Sequence, residues 1–363
     1  MKDFVLDDGQ RALLVLLREG LWERETDGRD LFPLPEEQWN RVFRMACMQT
    51  VTGIAYNGLC RLPDEWLPSQ LLLMKWVAEA DRIERENRRM NDVLAGLCEL
   101  FRNEGIRVVL QKGQGVALLY EKPALRQCGD IDFYFLSETE SQAAARLMQQ
   151  KGCRLHTAPD GSVCYRWQGI EIEHHPALLD LQNPHLRGYL QELIAEKGFD
   201  KGYEDTILFP SPFLHLILLN VHILKHAFGV GIGLRQFCDL ARAYFVWQNQ
   251  VDADELQTFY NRAGLTNWSR LLHAFLVQHL GLPAGCLPVS LKPVTSCDAL
   301  TRIVFRGGNF GQYRKGRQSV SERVWQRKWH TFSSFLTNWN FACNYAPKEY
   351  FWTMMGLLKG QSV

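Results

Sequence analysis

Two aspartates one residue apart open an apolar, aromatic run, Gly129-Asp130-Ile131-Asp132-Phe133-Tyr134-Phe135. Along an extended strand, side chains two apart share a face, so Asp130 and Asp132 point the same way. Carboxylates held side by side repel unless a cation neutralises them. Hard divalent ions such as Mg²⁺ take oxygen ligands and combine one or two carboxylates with substrate phosphate oxygens. A bare D-x-D is more often a solvated strand end, but its surroundings favour a site. Upstream, Ile106 to Leu110 reads as a strand that ends at Lys112-Gly113, with a helix expected from Gln114 to Tyr120. A strand, a glycine turn and a helix present backbone N–H groups and a cation to phosphates.

A third carboxylate is on offer downstream. In Ile170-Glu171-Ile172-Glu173-His174-His175 the residues alternate, placing Ile170 and Ile172 on one face and Glu171, Glu173 and His175 on the other. If this strand pairs beside the Asp130–Asp132 strand, three acids converge, enough to hold two metal ions for an in-line displacement at phosphorus.

Other residues carry chemistry less specifically. His222 and His226 are four apart on an expected helix and, with His215 or His175, would offer a zinc site; histidines hydrogen-bonded within an apolar helix are the other reading. Arg235 and Asp239 have ion-pair spacing and would dock their helix against the sheet. Near the end, Arg302, Arg306, Arg314, Lys315, Arg317, Arg323, Arg327 and Lys328 are interleaved with Phe305, Phe310, Tyr313, Trp325 and Trp329. That mixture suits either a nucleic acid or a solvated helical face over core aromatics.

The elements that must position these groups follow from periodicity. From Asp8 to about Arg102, apolar residues recur at three- and four-residue steps, the last stretch a long helix from about Ser69 to Gly105. After Gly105 the pattern turns to short strands, with a helix from Ser137 to Lys151 and a hairpin signal at Pro159-Asp160-Gly161. Beyond about Leu178 helical periodicity returns through to the end. The expected organisation is a helical region at 1–105, a small mixed α/β module at 106–180 and a second helical region at 181–363, an α+β protein.

The 363 residues are 46% hydrophobic with a formal charge of +1, an ordinary globular composition with no global field to draw in nucleic acid or an anionic membrane. The N-terminal Met-Lys-Asp-Phe-Val-Leu-Asp-Asp places acids where an export signal has a basic region, so a cytoplasmic location is expected. The most apolar segment, Phe213 to Leu234, is broken by His215, Asn220, His222, Lys225 and His226, a poor membrane span and a good buried helix. Ten cysteines without a C-x-x-C pair read as reduced core residues.

These residues resemble a family. Leu110-Gln111-Lys112-Gly113, then Leu118, Tyr120, Pro123 and Arg126, then Gly129-Asp130-Ile131-Asp132-Phe133, look like the signature of a largely uncharacterised bacterial branch of the nucleotidyltransferase superfamily that includes DNA polymerase β. The run Gly169 to Pro176 is similar to its third-carboxylate strand, with Glu173 and His175 in register and Glu171 as the alternative. Leu218 to His226 and Gly231 to Asp239 are similar to its H-x-x-x-H helix and G-x-x-L-R-x-x-x-D turn. The likeness spans about Leu110 to Ala243. It implies a small polymerase β-like module embedded in helices, moving NMP from an NTP such as ATP to an acceptor hydroxyl. It further implies that Asp130, Asp132 and Glu173 are catalytic and bind metal, two Mg²⁺ ions in all. Lys112 and Gly113 would meet the donor's phosphates; Arg126 is the candidate for a second phosphate contact, with a salt bridge to the sheet as the alternative. The acceptor is open among a small molecule, a protein side chain and an RNA end. Two competing readings are a catalytically silent nucleotide-binding or scaffold protein of the same fold and a toxin-like RNA nucleotidyltransferase.

Overall fold

The computed structural model describes residues 5–158, 160–202, 207–229, 231–288, 294–307, 335 and 337–358. Helix α1 (Asp8–Trp22) starts at a capping box in which Asp7 accepts from the Gln10 amide and the Gln10 side chain from that of Asp7, satisfying two amides the first turn leaves open. Helices α2 (Glu36–Met48) and α3 (Thr52–Leu59) follow. α1 and α3 approach backbone to backbone: a Cβ on Gly58 would lie 2.0 Å from the Leu16 carbonyl oxygen, and one on Gly20 equally close to that of Ile54.

Helix α4 (Gln70–Asn103) is capped by Ser69 and spans 34 residues, close to the expected Ser69 to Gly105. Its buried positions fall at three- and four-residue steps, while Arg82, Arg85 and Arg88 pair with Glu79, Asp81 and Glu84 on the wet side. The helix joins two cores. Leu72 and Trp76 belong to a helical core shared with α1 to α3, whereas Met90, Val93, Leu97 and Phe101 pack under the sheet against Ile131, Phe133 and Ile172.

The sheet has seven strands: β1 (Val108–Leu110), β2 (Asp130–Tyr134), β3 (His156–Thr157), β4 (Val163–Trp167), β5 (Ile170–His175), β6 (Phe199–Lys201) and β7 (Ile207–Pro210), in the order β3-β4-β5-β2-β1-β7-β6. β2 runs antiparallel to β1 and parallel to β5. Between β1 and β2, α5 (Gln114–Ala117) is one turn, shorter than expected, and α6 (Glu138–Gln150) fills the next crossover, capped by Ser137.

The expectation of helices alone beyond Leu178 is corrected by β6 and β7. β7 adds to the sheet parallel to β1, Val108 facing Ile207, so the sheet draws on residues beyond 180. Strands of three and four residues, one ending at Pro210, are too short to show a period; what makes them strands is the open edge of β1. α7 (Arg187–Lys197) precedes β6, and after β7 come α8 (Pro212–Phe228), α9 (Leu234–Trp247), α10 (Ala253–Ala263), α11 (Thr266–Leu280), α12 (Asp298–Gly307), α13 (Trp339–Tyr345) and α14 (Pro347–Leu358).

Among the described residues no helix is long and apolar enough to cross a membrane, and no disulfide joins the cysteines. Of the basic, aromatic stretch near the end, Arg302 and Phe305 lie on α12, and the residues from Phe310 to Trp329 lie outside the described residues.

Two alanine substitutions separate close packing from helix propensity. Gly58→Ala forces α1 and α3 apart and should cost about 3 kcal/mol, whereas Gly96→Ala, on the exposed side of α4 with nothing within 4 Å, should stabilise by about 1 kcal/mol. Chemical denaturation of both variants checks the contrast.

Candidate active site

Strand alternation sorts β2 into two faces. Ile131 and Phe133 are buried under the sheet with Phe101, while Asp130 and Asp132 line a cleft beneath α8. β5 lies parallel in a register that sets Glu173 opposite Asp132 and His175 opposite Tyr134. His174 takes the core side instead. Its Nε2 lies 2.9 Å from the Tyr165 hydroxyl among Phe101, Phe133 and Phe135, and burial lowers its pKa to about 3, leaving it neutral.

Asp132 is the hub. His175 Nε2 lies 2.5 Å from Asp132 Oδ1 and 3.6 Å from Glu173 Oε2, while the other ring nitrogen is 3.3 Å from Ser162 Oγ. Lys112 Nζ is 3.2 Å from the same Asp132 oxygen. Ligand atoms of Asp132, Glu173 and His175 all lie within 4.8 Å of one another, the one such group among the described residues. Asp130 shares the cleft but stands outside that group. Gly113 turns beside it at φ +59, and a Cβ there would come 3.2 Å from the Asp130 carbonyl oxygen, so a side chain would strain both torsion and packing.

The acids crowd each other, and their protonation follows. The Asp132 charge, then burial, raises the Asp130 carboxyl above its ordinary value. Burial, then Asp132 and Asp130, raises Glu173 to about 6. Burial pushes Asp132 up as well, but Lys112 and His175 outweigh it and hold the carboxyl well below its usual range. Lys112 is opposed by burial, yet Asp132 and Asp130 keep its ammonium charged. One carboxylate is thus always ionised, and its neighbours titrate nearer neutrality.

The cleft encloses about 320 Å³ between the sheet and α8. Leu218, Val221, His222, Lys225 and His226 form its α8 wall, spaced three and four apart as one helix face requires. Burial keeps His222 and His226 neutral, His226 at about 3. A second cavity of about 520 Å³ shares Ala177, Leu178 and Asp180 with the cleft and reaches Arg187 and Trp352.

Asp130, Asp132, Glu173 and Lys112, singled out in the sequence, therefore meet in one cleft. Of the two candidate third acids, Glu173 lines it, while Glu171 reaches back to Arg166 at 3.4 Å. Arg126 is elsewhere: its guanidinium is buried against the Asp239 carboxylate through Nε (3.0 Å) and Nη2 (2.5 Å), and it does not line the cleft. Asp239 also accepts from the Tyr120 hydroxyl at 2.7 Å. The expected pairing of Asp239 with Arg235 is corrected accordingly; Arg235 donates to the Gln127 carbonyl at 2.9 Å. A rigid planar guanidinium meeting a buried carboxylate through two nitrogens wins over a neighbour on the same helix. His215 stacks near Trp247 and is absent from the cleft.

Three charged cleft residues were not singled out as site candidates in the sequence: Asp160, Asp180 and Lys225. Lys225 was visible as the residue three beyond His222 and just before His226; Asp160 and Asp180 lie in loops that no period marks.

Compared with known proteins, residues 35–280 match the model of a family described as an uncharacterised nucleotidyltransferase. No curated protein and no solved structure matches the chain.

Removing the Arg126 guanidinium strands a buried Asp239, so Arg126→Met should destabilise the fold by about 3–5 kcal/mol. Urea unfolding measures this; a change of under about 1 kcal/mol would show that the pair does not hold α9 in place.

Proposed function

The chain belongs to this uncharacterised nucleotidyltransferase family, and on that footing we propose that the cleft is a Mg²⁺-dependent site transferring NMP from an NTP to an acceptor hydroxyl, the α–β phosphoanhydride bond breaking and pyrophosphate leaving. The observation that carries the proposal is the convergence of Asp130, Asp132 and Glu173 with Lys112 in one cleft. The donor set fits a hard cation: crowded carboxylates, Asp132 held ionised, Asp130 raised first by the Asp132 charge and Glu173 first by burial and then by its acidic neighbours, are relieved by a divalent ion. Asp130, Asp132 and Glu173 would hold it. Bound Mg²⁺ supplies charge neutralisation at the phosphorus undergoing substitution.

The protein's own groups do the rest. His175, with Nδ1 turned to Ser162, donates from Nε2 to Asp132 and fixes the carboxylate's orientation. Glu173, with its pKa of about 6, suits a base that takes the acceptor's proton near neutrality. Lys112 meets phosphate oxygens as a point charge, and Gly113 lets the backbone approach them. The cavity of about 520 Å³ that shares a wall with the cleft has room for a small-molecule acceptor. A reaction consuming ATP or another NTP fits a cytoplasmic setting.

Isothermal titration of each NTP with Mg²⁺ tests this directly. Wild-type protein should bind one NTP only with the metal, and Asp130→Asn/Asp132→Asn should not bind it; absence of metal-dependent binding to the wild type sinks the proposal in favour of a silent scaffold.

The pH dependence has a definite sign. A carboxylate must be ionised to ligate metal, and Glu173 takes its proton at about 6. Metal-dependent affinity should therefore be full above pH 7 and fall by up to about tenfold per unit below pH 6. Glu173→Gln should bind more weakly and lose that slope in a titration from pH 5 to 8.

A further inference from the structure

An NTP brings a polyanionic tail into a cleft already walled by Asp130, Asp132, Asp160, Glu173 and Asp180. Among the described residues lining it, two are permanent cations, Lys112 and Lys225. Lys112 pairs with Asp132 at 3.2 Å, which keeps its phosphate contact on the side where the carboxylates gather. Arg126 is locked to Asp239, and Arg235 donates to the Gln127 carbonyl and does not line the cleft. Lys225 is placed differently. It faces the carboxylates from α8, on the same helix face as His222 and His226. Its Nζ lies 2.5 Å from Asp180 Oδ2 and 3.9 Å from Asp160 Oδ2. Both partners are loop carboxylates with about a third or more of their side chains exposed, and each keeps another donor when Lys225 turns to a second anion, Asp160 the Ser162 amide and Asp180 the Gln182 side chain.

Resting on the transferase reading of the cleft, we infer that Lys225 anchors the β- and γ-phosphates of the donor, with Asp180 and Asp160 as counter-ions that the donor displaces. The α-phosphate then lies at Asp130, Asp132 and Glu173, and the tail crosses to α8. His222 and His226, neutral beside Lys225, add donors without charge. The site thereby distinguishes a nucleoside triphosphate, which brings β- and γ-phosphates to Lys225, from a monophosphate, which brings neither.

The test is calorimetric titration of Mg²⁺ with NTP, with NMP and with inorganic tripolyphosphate into wild-type, Lys225→Met, Lys225→Arg and Asp180→Asn proteins. Lys225→Met should weaken NTP and tripolyphosphate by about tenfold or more, the scale of one charge-assisted hydrogen bond, and leave NMP unchanged. Lys225→Arg should restore most of the loss, and Asp180→Asn, freeing the ammonium, should tighten NTP. The inference is overturned if Lys225→Met binds NTP as the wild type does, or weakens NMP and NTP equally. Those outcomes leave the transferase reading standing, whereas a wild type that binds no Mg²⁺·NTP brings down both. Thermal unfolding of each variant separates lost binding from lost fold.

Discussion

The parallel pairing of β2 with β5 sets Asp132 level with Glu173 and leaves Asp130 one step behind. Side chains alternate along a strand, so a slip of one residue in either strand would turn its acids into the core and its Ile and Phe residues into the cleft. The register is enforced from the apolar side. Ile131, Phe133 and Ile172 pack on Phe101, Leu97 and Met148, and a one-residue slip would expose them. The burial that stabilises the fold therefore also positions the carboxylates. His174 tightens this arrangement, being accepted into the core only because Tyr165 hydrogen-bonds it and burial keeps it neutral.

The second requirement is a roof. α8 closes the cleft, and α9 beside it is held by a buried cluster in which Asp239 receives Arg126 and Tyr120. Both partners come from the segment between β1 and β2, the connection that delivers Asp130 to its strand. Burial opposes the charged Arg126, and Asp239 overcomes it. Such a pair adds little stability relative to an apolar substitute but penalises every arrangement that separates its members. Its consequence here is positional, holding the roof over the same stretch that sets the floor.

Between floor and roof the molecule tolerates unfavourable electrostatics. Asp130 is raised chiefly by the Asp132 charge, Glu173 by burial and then by both aspartates, and Asp132 is rescued by Lys112 and His175. Such crowding destabilises a fold unless a ligand repays it, which is the expected signature of a functional site. Glu349, on α14, is a separate instance: buried with its pKa raised to about 7, it accepts from the amides of Gln182 and Asn183. It ties the last helix to the loop walling the second cavity.

Residue order alone settled what is local. The span of α4 followed from its period and the Ser69 cap, and the faces of β2 and β5 from strict alternation. Asp130 and Asp132 share a face in any extended strand, so their pairing needed no partner to be read. Tertiary structure decided what depends on neighbours distant in sequence. β6 and β7 are strands because β1 offers an edge; Glu173 rather than Glu171 faces Asp132 because of the register with β2. Arg126 met Asp239, 113 residues away, and no spacing rule encodes that encounter. Lys225 reached the cleft for the same reason. A helix's period states which residues share a face, and only the packing of that helix over the sheet states what the face looks upon.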